Sequence, residues 1–97
     1  MAEDAAQKPK AGKKILVIED EADMRQILVD KLTWDGFDVV AAADGEEGLH
    51  AALREHPDAV VLDILLPKMD GLTVLRQLGK DPWGETVPVV IFTNVGE

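Results

Sequence analysis

The sequence predicts an α/β fold built on a parallel sheet with helices on both faces. Three observations carry that prediction. Four short apolar runs are solid rather than alternating, as in strands buried on both sides. Between them the apolar spacing lengthens to the helical period. Strand and helix also alternate strictly, the order that right-handed crossovers wind into one sheet.

The elements follow in order. Ile15-Leu16-Val17-Ile18 is the first strand, short and rich in β-branched residues. From Glu21 onward Met24, Ile27, Leu28 and Leu32 fall on one helical face, and Gly36 marks the stop. Phe37 to Ala43 is the second strand. Asp44 with Glu47 three residues later has the form of a capping box, with Asp in place of the usual Ser or Thr. Leu49, Ala52 and Leu53 then give the face of a second helix that ends before Pro57. Ala59-Val60-Val61-Leu62 is the third strand and closes on Asp63. Leu72, Leu75 and Leu78 mark a third helix ending near Gly79, and an Asp81-Pro82-Trp83-Gly84 turn leads into Val89-Val90-Ile91-Phe92. Residues 1–13, with their Ala, Lys, Pro9 and Gly12, read as a flexible tail. No repeat, low-complexity block or second domain is visible.

Composition narrows the function classes. A chain of 97 residues, 46% apolar with eight Gly and five Pro, suits a single core. No apolar run approaches the roughly 18–20 residues of a membrane span, and the N-terminus does not read as a secretory signal. Zero cysteines exclude disulfides, thiolate metal sites and Cys nucleophiles, and fit a cytoplasmic location. Charge is uneven: residues 1–14 carry a net +2, whereas residues 15–97 carry six Lys or Arg against seventeen Asp or Glu. Phosphate backbones and anionic lipids would be repelled by such a body, so neither direct nucleic-acid binding nor membrane binding is expected.

The placement of the acids says more than their number. In open parallel sheets, function gathers at the carboxyl ends of the strands. Glu19 and Asp20 follow the first strand, Asp63 ends the third, and Thr93 follows the fourth. Three carboxylates converging there would raise one another's pKa unless a cation neutralised them, and a hard divalent ion with oxygen ligands meets that need. Glu19, Asp20, Glu21 and Asp23 could by themselves be helix-capping acids. Asp63 tips the balance, because it closes an apolar strand with no helix to cap, where a lone carboxylate is costly.

These residues resemble the receiver domain of bacterial two-component response regulators. The matching pieces are Ile15-Leu16-Val17-Ile18-Glu19-Asp20, Val61-Leu62-Asp63-Ile64-Leu65-Leu66-Pro67-Lys68-Met69-Asp70-Gly71, and Pro88-Val89-Val90-Ile91-Phe92-Thr93. The resemblance implies a flavodoxin-like sheet of strand order 2-1-3-4-5. It implies that Asp63 accepts a phosphoryl group from a sensor histidine kinase or phosphotransfer protein. Mg²⁺ would be held by Glu19, Asp20, Asp63 and the backbone carbonyl of Leu65, with Thr93 as the switch residue contacting the phosphoryl group. Pro67 and Gly71 would shape the adjoining loop. Such a protein modifies its own Asp and changes an interaction surface; turnover of an external substrate is not expected.

The family pattern continues through a fourth helix, a fifth strand carrying a Lys and an aromatic residue, and a fifth helix. None of these matches within residues 14–97. The expectation is therefore a receiver lacking them, slow to accept phosphate and prone to self-association through the fourth-strand edge. Asn94 stands where the family usually has a small residue. A receiver-like interaction or oligomerisation scaffold without phosphotransfer is the alternative. A haloacid-dehalogenase-type phosphatase is disfavoured because Leu65 stands where that family needs a second acid. A nucleotide-binding reading fails because neither a Walker loop nor a G-x-G-x-x-G follows the first strand. His50 and His56 read as surface histidines, Trp34 and Trp83 as packing or loop anchors, and Asp70 as a turn residue.

Overall fold

The computed structural model describes residues 12–92. Its strands are β1 (Lys14–Ile18), β2 (Asp38–Ala42), β3 (Ala59–Asp63) and β4 (Val89–Phe92). Its helices are α1 (Ala22–Trp34), α2 (Gly45–Glu55) and α3 (Gly71–Leu78). All strands are parallel, in the order β2-β1-β3-β4, so the four described strands follow the expected order. The register sets Ile18 beside both Ala42 and Leu62, and Asp63 beside Phe92. Glu19, the next residue after β1, is fixed by its amide, which donates to the Ala42 carbonyl at 3.1 Å.

Crossover handedness divides the helices unequally. The step from β1 to β2 runs one way along the sheet, and the steps from β2 to β3 and β3 to β4 run the other. Right-handed connections therefore put α1 on one face and both α2 and α3 on the other, where those two helices touch. On the two-helix face Leu16, Ile18, Ala42, Val60 and Leu62 meet Ala51, Ala52, Val74 and Leu78 in a single core. On the other face Ile15 and Val17 are buried, but α1 buries no residue fully.

The predicted helix faces need correction. Met24, Leu28 and Leu32 are only half-buried and Ile27 is 59% exposed, because among the described residues α1 has no helix beside it. In α2 the buried stripe is Gly45, Gly48, Ala51 and Ala52, with Leu49 half-buried and Leu53 exposed. Small residues there let the helix approach the sheet closely. In α3 the buried positions are Gly71, Val74 and Leu78; Leu72 lies a helical step off that stripe and faces solvent. Trp34 was expected to pack or anchor a loop, yet it stands 82% exposed at the end of α1. Only Trp83 behaves as an anchor: it packs against the core and stacks on His56, ring centroids 4.5 Å apart and planes 8° from parallel.

The local signals were sound. Asp44 accepts from the Glu47 amide at 2.8 Å while the Glu47 carboxylate accepts from the Ala43 amide at 3.1 Å, a reciprocal capping box. The Glu47 amide, with Lys68 nearby, holds the Asp44 carboxyl below the usual range. Asp70 caps α3 by accepting from the Thr73 amide at 2.8 Å, and Asp81 shapes its turn by accepting from the Trp83 amide at 2.9 Å. Gly36 follows α1 at φ 104°, a left-handed conformation that glycine adopts without a Cβ clash. Lys13, read from the sequence as part of the tail, is tied to the sheet: its carbonyl accepts from the Asp38 amide at 2.8 Å. The expected tail over residues 1–11, and the expectations for Thr93 and Asn94, lie outside the described residues. Among those described, no helix is long and apolar enough to cross a membrane.

Candidate functional site

β1 and β3 are neighbours, so the residues at their carboxyl ends face each other. Glu19, Asp20 and Asp63 each bring one carboxylate oxygen to within 4.8 Å of the others. Glu19 is 1% exposed and Asp63 2%, while Asp20 is open to solvent. The sequence-predicted carboxylates thus come together at one end of the sheet. Thr93, the fourth predicted side chain, lies outside the described residues.

Backbone contacts hold each group. Glu19 Oε2 accepts from the Glu21 amide at 2.8 Å, and Glu21 in turn caps α1 by accepting from the Met24 amide at 2.9 Å. Capping and clustering are therefore divided between neighbours, with Glu21 the cap and Glu19 part of the cluster. Asp63 Oδ1 accepts from the Leu65 amide at 3.0 Å. Its own strand end is pinned by the Ile64 amide, which donates to the Phe92 carbonyl at 3.0 Å. Gly71 presses from below: a Cβ there would lie 2.6 Å from Ile64 Cα and 2.7 Å from the Asp63 carbonyl oxygen. Only glycine permits that approach.

Electrostatically the cluster is unfinished. Among the described residues Glu19 Oε1 is buried without a hydrogen-bond partner, an arrangement that normally costs free energy. Burial pushes the Glu19 carboxyl up to about 7, against the opposing donation from Glu21 and with the Asp63 charge adding to the rise. Lys68 does not neutralise it. That residue takes φ 68° in the loop after β3, and its ammonium lies 3.5 Å from Asp44 Oδ2. An orphaned buried oxygen among three oxygen donors fits a hard divalent cation.

Arg25 is a neighbour that sequence reasoning passed over. Its guanidinium Nη1 donates to the Glu19 carbonyl at 2.9 Å and to the Asp20 carbonyl at 3.3 Å. The only hint was a basic residue one turn into a helix whose first turn is acidic. Leu65 enters the site through its amide, on Asp63. A groove beside β2, lined among others by Val40, Asp44, His50, Arg54 and Lys68, shares no residue with the three carboxylates. His50 is exposed beside it, and His56, also exposed, carries the Trp83 stack.

Comparison with known proteins places this geometry among relatives. Residues 15–97 match the model of the response regulator receiver domain. The chain is 48% identical over 84 residues to the probable transcriptional regulator ycf27 of Porphyridium aerugineum, covering 87% of this chain and 34% of that protein. It is 50% identical over 67 residues to the alkaline phosphatase synthesis transcriptional regulatory protein PhoP of Bacillus subtilis, covering 69% of this chain and 28% of the relative. The chain thus spans about a third of the length of the curated relatives it matches. Among solved structures, it resembles the receiver domain of sensor histidine kinase PA1611 from Pseudomonas aeruginosa PAO1. The TM-score is 0.81 at 31% identity, covering 84% of this chain and 66% of that one, and that structure has a magnesium ion coordinated in its active-site cleft.

Proposed function

The chain belongs to the response regulator receiver family, and from that premise we propose that Asp63 is its phosphoacceptor and that Glu19, Asp20 and Asp63 hold Mg²⁺. The observation that carries the reading is a buried Glu19 whose Oε1 has no hydrogen-bond partner among the described residues and whose carboxylate lies within 4.8 Å of those of Asp20 and Asp63 at two adjacent strand ends. A buried carboxylate oxygen with no donor, beside two more carboxylates, is a site whose charge is completed from outside the chain. The backbone carbonyl of Leu65 completes the proposed ligand set, and Thr93 is proposed to contact the phosphoryl group.

The chain's own residues supply position more than acid–base chemistry. Leu65 holds Asp63 Oδ1 through its amide, and among the described residues the second oxygen takes no backbone donor. That oxygen forms the new O–P bond as the N–P bond of a donor phosphohistidine breaks, and the proton that restores neutral imidazole stays with the donor. Phosphoryl transfer of this kind rests on alignment and charge neutralisation. Mg²⁺ held by Glu19, Asp20 and Asp63 would supply the neutralisation. The donor is a histidine kinase or phosphotransfer protein, the location cytoplasmic, and no external substrate is turned over. Any action on nucleic acid would belong to another domain, because the body of this chain is strongly acidic.

The test is direct. The chain is incubated with a small phosphodonor and Mg²⁺, and its intact mass is measured. A gain of one phosphoryl group, absent with chelator and absent in Asp63→Asn, is the expected result. Modification that survives Asp63→Asn would overturn the assignment.

A further inference from the structure

We propose that Arg25 is the positioning residue of the acidic cluster: by clamping two successive carbonyls it sets the directions from which Glu19 and Asp20 present their carboxylates. The inference rests on the reading of those carboxylates as a cation site. Its basis is local geometry. The Glu19–Asp20 segment leaves β1, and the chain must turn into α1 within three residues, a turn too short to have many internal hydrogen bonds to fix it. Its entry is held by the Glu19 amide on the Ala42 carbonyl at 3.1 Å. Its carbonyls are held by one nitrogen of Arg25, at 2.9 Å for Glu19 and 3.3 Å for Asp20.

The clamp is built from α1 itself. Arg25 sits one turn into the helix, and its own amide donates to the Glu21 carbonyl at 2.9 Å. The side chain is half-buried and folds back over the segment that starts the helix. Among the described residues no carboxylate is its hydrogen-bond partner; it binds carbonyl oxygens and leaves the carboxylates to other donors. An ion pair would do the opposite. A single guanidinium nitrogen, Nη1, spans both acceptors with N–H groups fixed in the guanidinium plane, whereas an ammonium is a freely rotating point charge that holds them less well.

Two effects of this cation on Mg²⁺ have opposite signs, which makes the inference decidable. A positive charge near the cluster repels a second cation, so removing it would tighten binding a few-fold if charge alone mattered. Residues that orient metal ligands through hydrogen bonds act the other way, and losing one typically weakens binding about 10–100-fold.

The experiment is calorimetric titration of the full chain with Mg²⁺ alone, for wild type, Arg25→Ala, Arg25→Lys and Asp20→Asn, with the metal-free thermal midpoint of each recorded. Arg25→Ala is expected to bind Mg²⁺ about tenfold more weakly and Arg25→Lys about threefold more weakly. Unchanged or tighter binding in both, while Asp20→Asn still loses it, overturns the positioning role and leaves the cation site standing. Wild-type affinity in Asp20→Asn, or no binding by wild type, overturns the cation reading and this inference with it. Should Arg25→Ala fail to fold, Arg25→Lys decides alone, because it keeps the charge and alters only the clamp.

Discussion

The two faces of the sheet are packed by different means. On one, α2 and α3 lie side by side and bring Ala51, Ala52, Val74 and Leu78 onto Leu16, Ile18 and Leu62, all nearly or wholly buried. On the other, α1 is the one helix among the described residues, half-buries Met24, Leu28 and Leu32, and leaves Ile27 and Trp34 in solvent. Both faces meet at the end of the sheet that carries the carboxylates, since α1 begins just after Glu19 and Asp20 and α3 begins with Gly71 packed against Asp63. The difference teaches that rigidity is delivered to the carboxylates unequally. Asp63 stands on a strand end buttressed by Gly71 and the core, whereas Glu19 and Asp20 depend on β2 and on a side chain of the lightly packed α1.

That contrast can be broken by substitution. Leu62→Ala, on the crowded face and fully buried, is expected to cost about 2–5 kcal/mol, because close-packed neighbours cannot collapse into the space left. Chemical denaturation measures it. A cost no larger than that of Ile27→Ala would erase the distinction between the faces.

The next effect is electrostatic and belongs to the cluster itself. Glu19 has an ordinary value of 4.5 and is raised to about 7 by burial. The folded chain therefore holds a proton there that the unfolded chain releases at lower pH. The stabilisation is fully present below about 4.5 and declines as pH rises through 7. Its full size is on the order of 3 kcal/mol. In chelator, unfolding followed between those limits should show Glu19→Gln losing most of the slope seen in wild type. A slope unaltered in Glu19→Gln would assign the linkage to other groups.

Gly71→Ala is expected to cost about 1–3 kcal/mol, because the added methyl runs into the backbone of Asp63 and Ile64. It should also weaken Mg²⁺ binding, since the strand end that carries Asp63 must shift. Loss of stability with unchanged Mg²⁺ affinity would show that Asp63 is held from elsewhere. Smaller again is Asp44→Ala, which removes one half of the capping box at about 1 kcal/mol and frees Lys68 from its 3.5 Å partner.

Much of this was legible in the residues. Solid apolar runs and helical spacing gave the element order, and Asp44 with Glu47 announced a box that the structure closes in both directions. Asp63 was legible as an acid ending an apolar strand. What escaped has a common cause, namely contacts not encoded by local spacing. The buried stripe of α2 is Gly and Ala, which hydropathy ranks low, and burial there follows from close approach to the sheet. Arg25 was invisible because it binds backbone carbonyls, which every sequence has. The His56–Trp83 stack joins the end of α2 to the loop after α3, a pairing that no periodicity marks.

The two tryptophans provide the smallest and sharpest comparison. Trp83 is half-buried, packed on the core and stacked on His56, and its amide is tied to Asp81. Trp34 ends α1 with 82% of its surface in water. A ring that buries so little contributes little, and surface substitutions of this kind usually stay within about 0.5 kcal/mol of wild type. Trp34→Ala should therefore leave the unfolding free energy nearly unchanged. Trp83→Ala should cost several times more, because it removes buried area and a stacking partner worth about 0.5–1.5 kcal/mol beyond that area. The same pair gives a spectroscopic reading: emission remaining in Trp83→Phe should be red-shifted and readily quenched by iodide, and that remaining in Trp34→Phe should be neither. Equal quenching of the two, with equal costs to alanine, would mean that α1 ends in a contact as firm as the one the opposite face makes through Trp83.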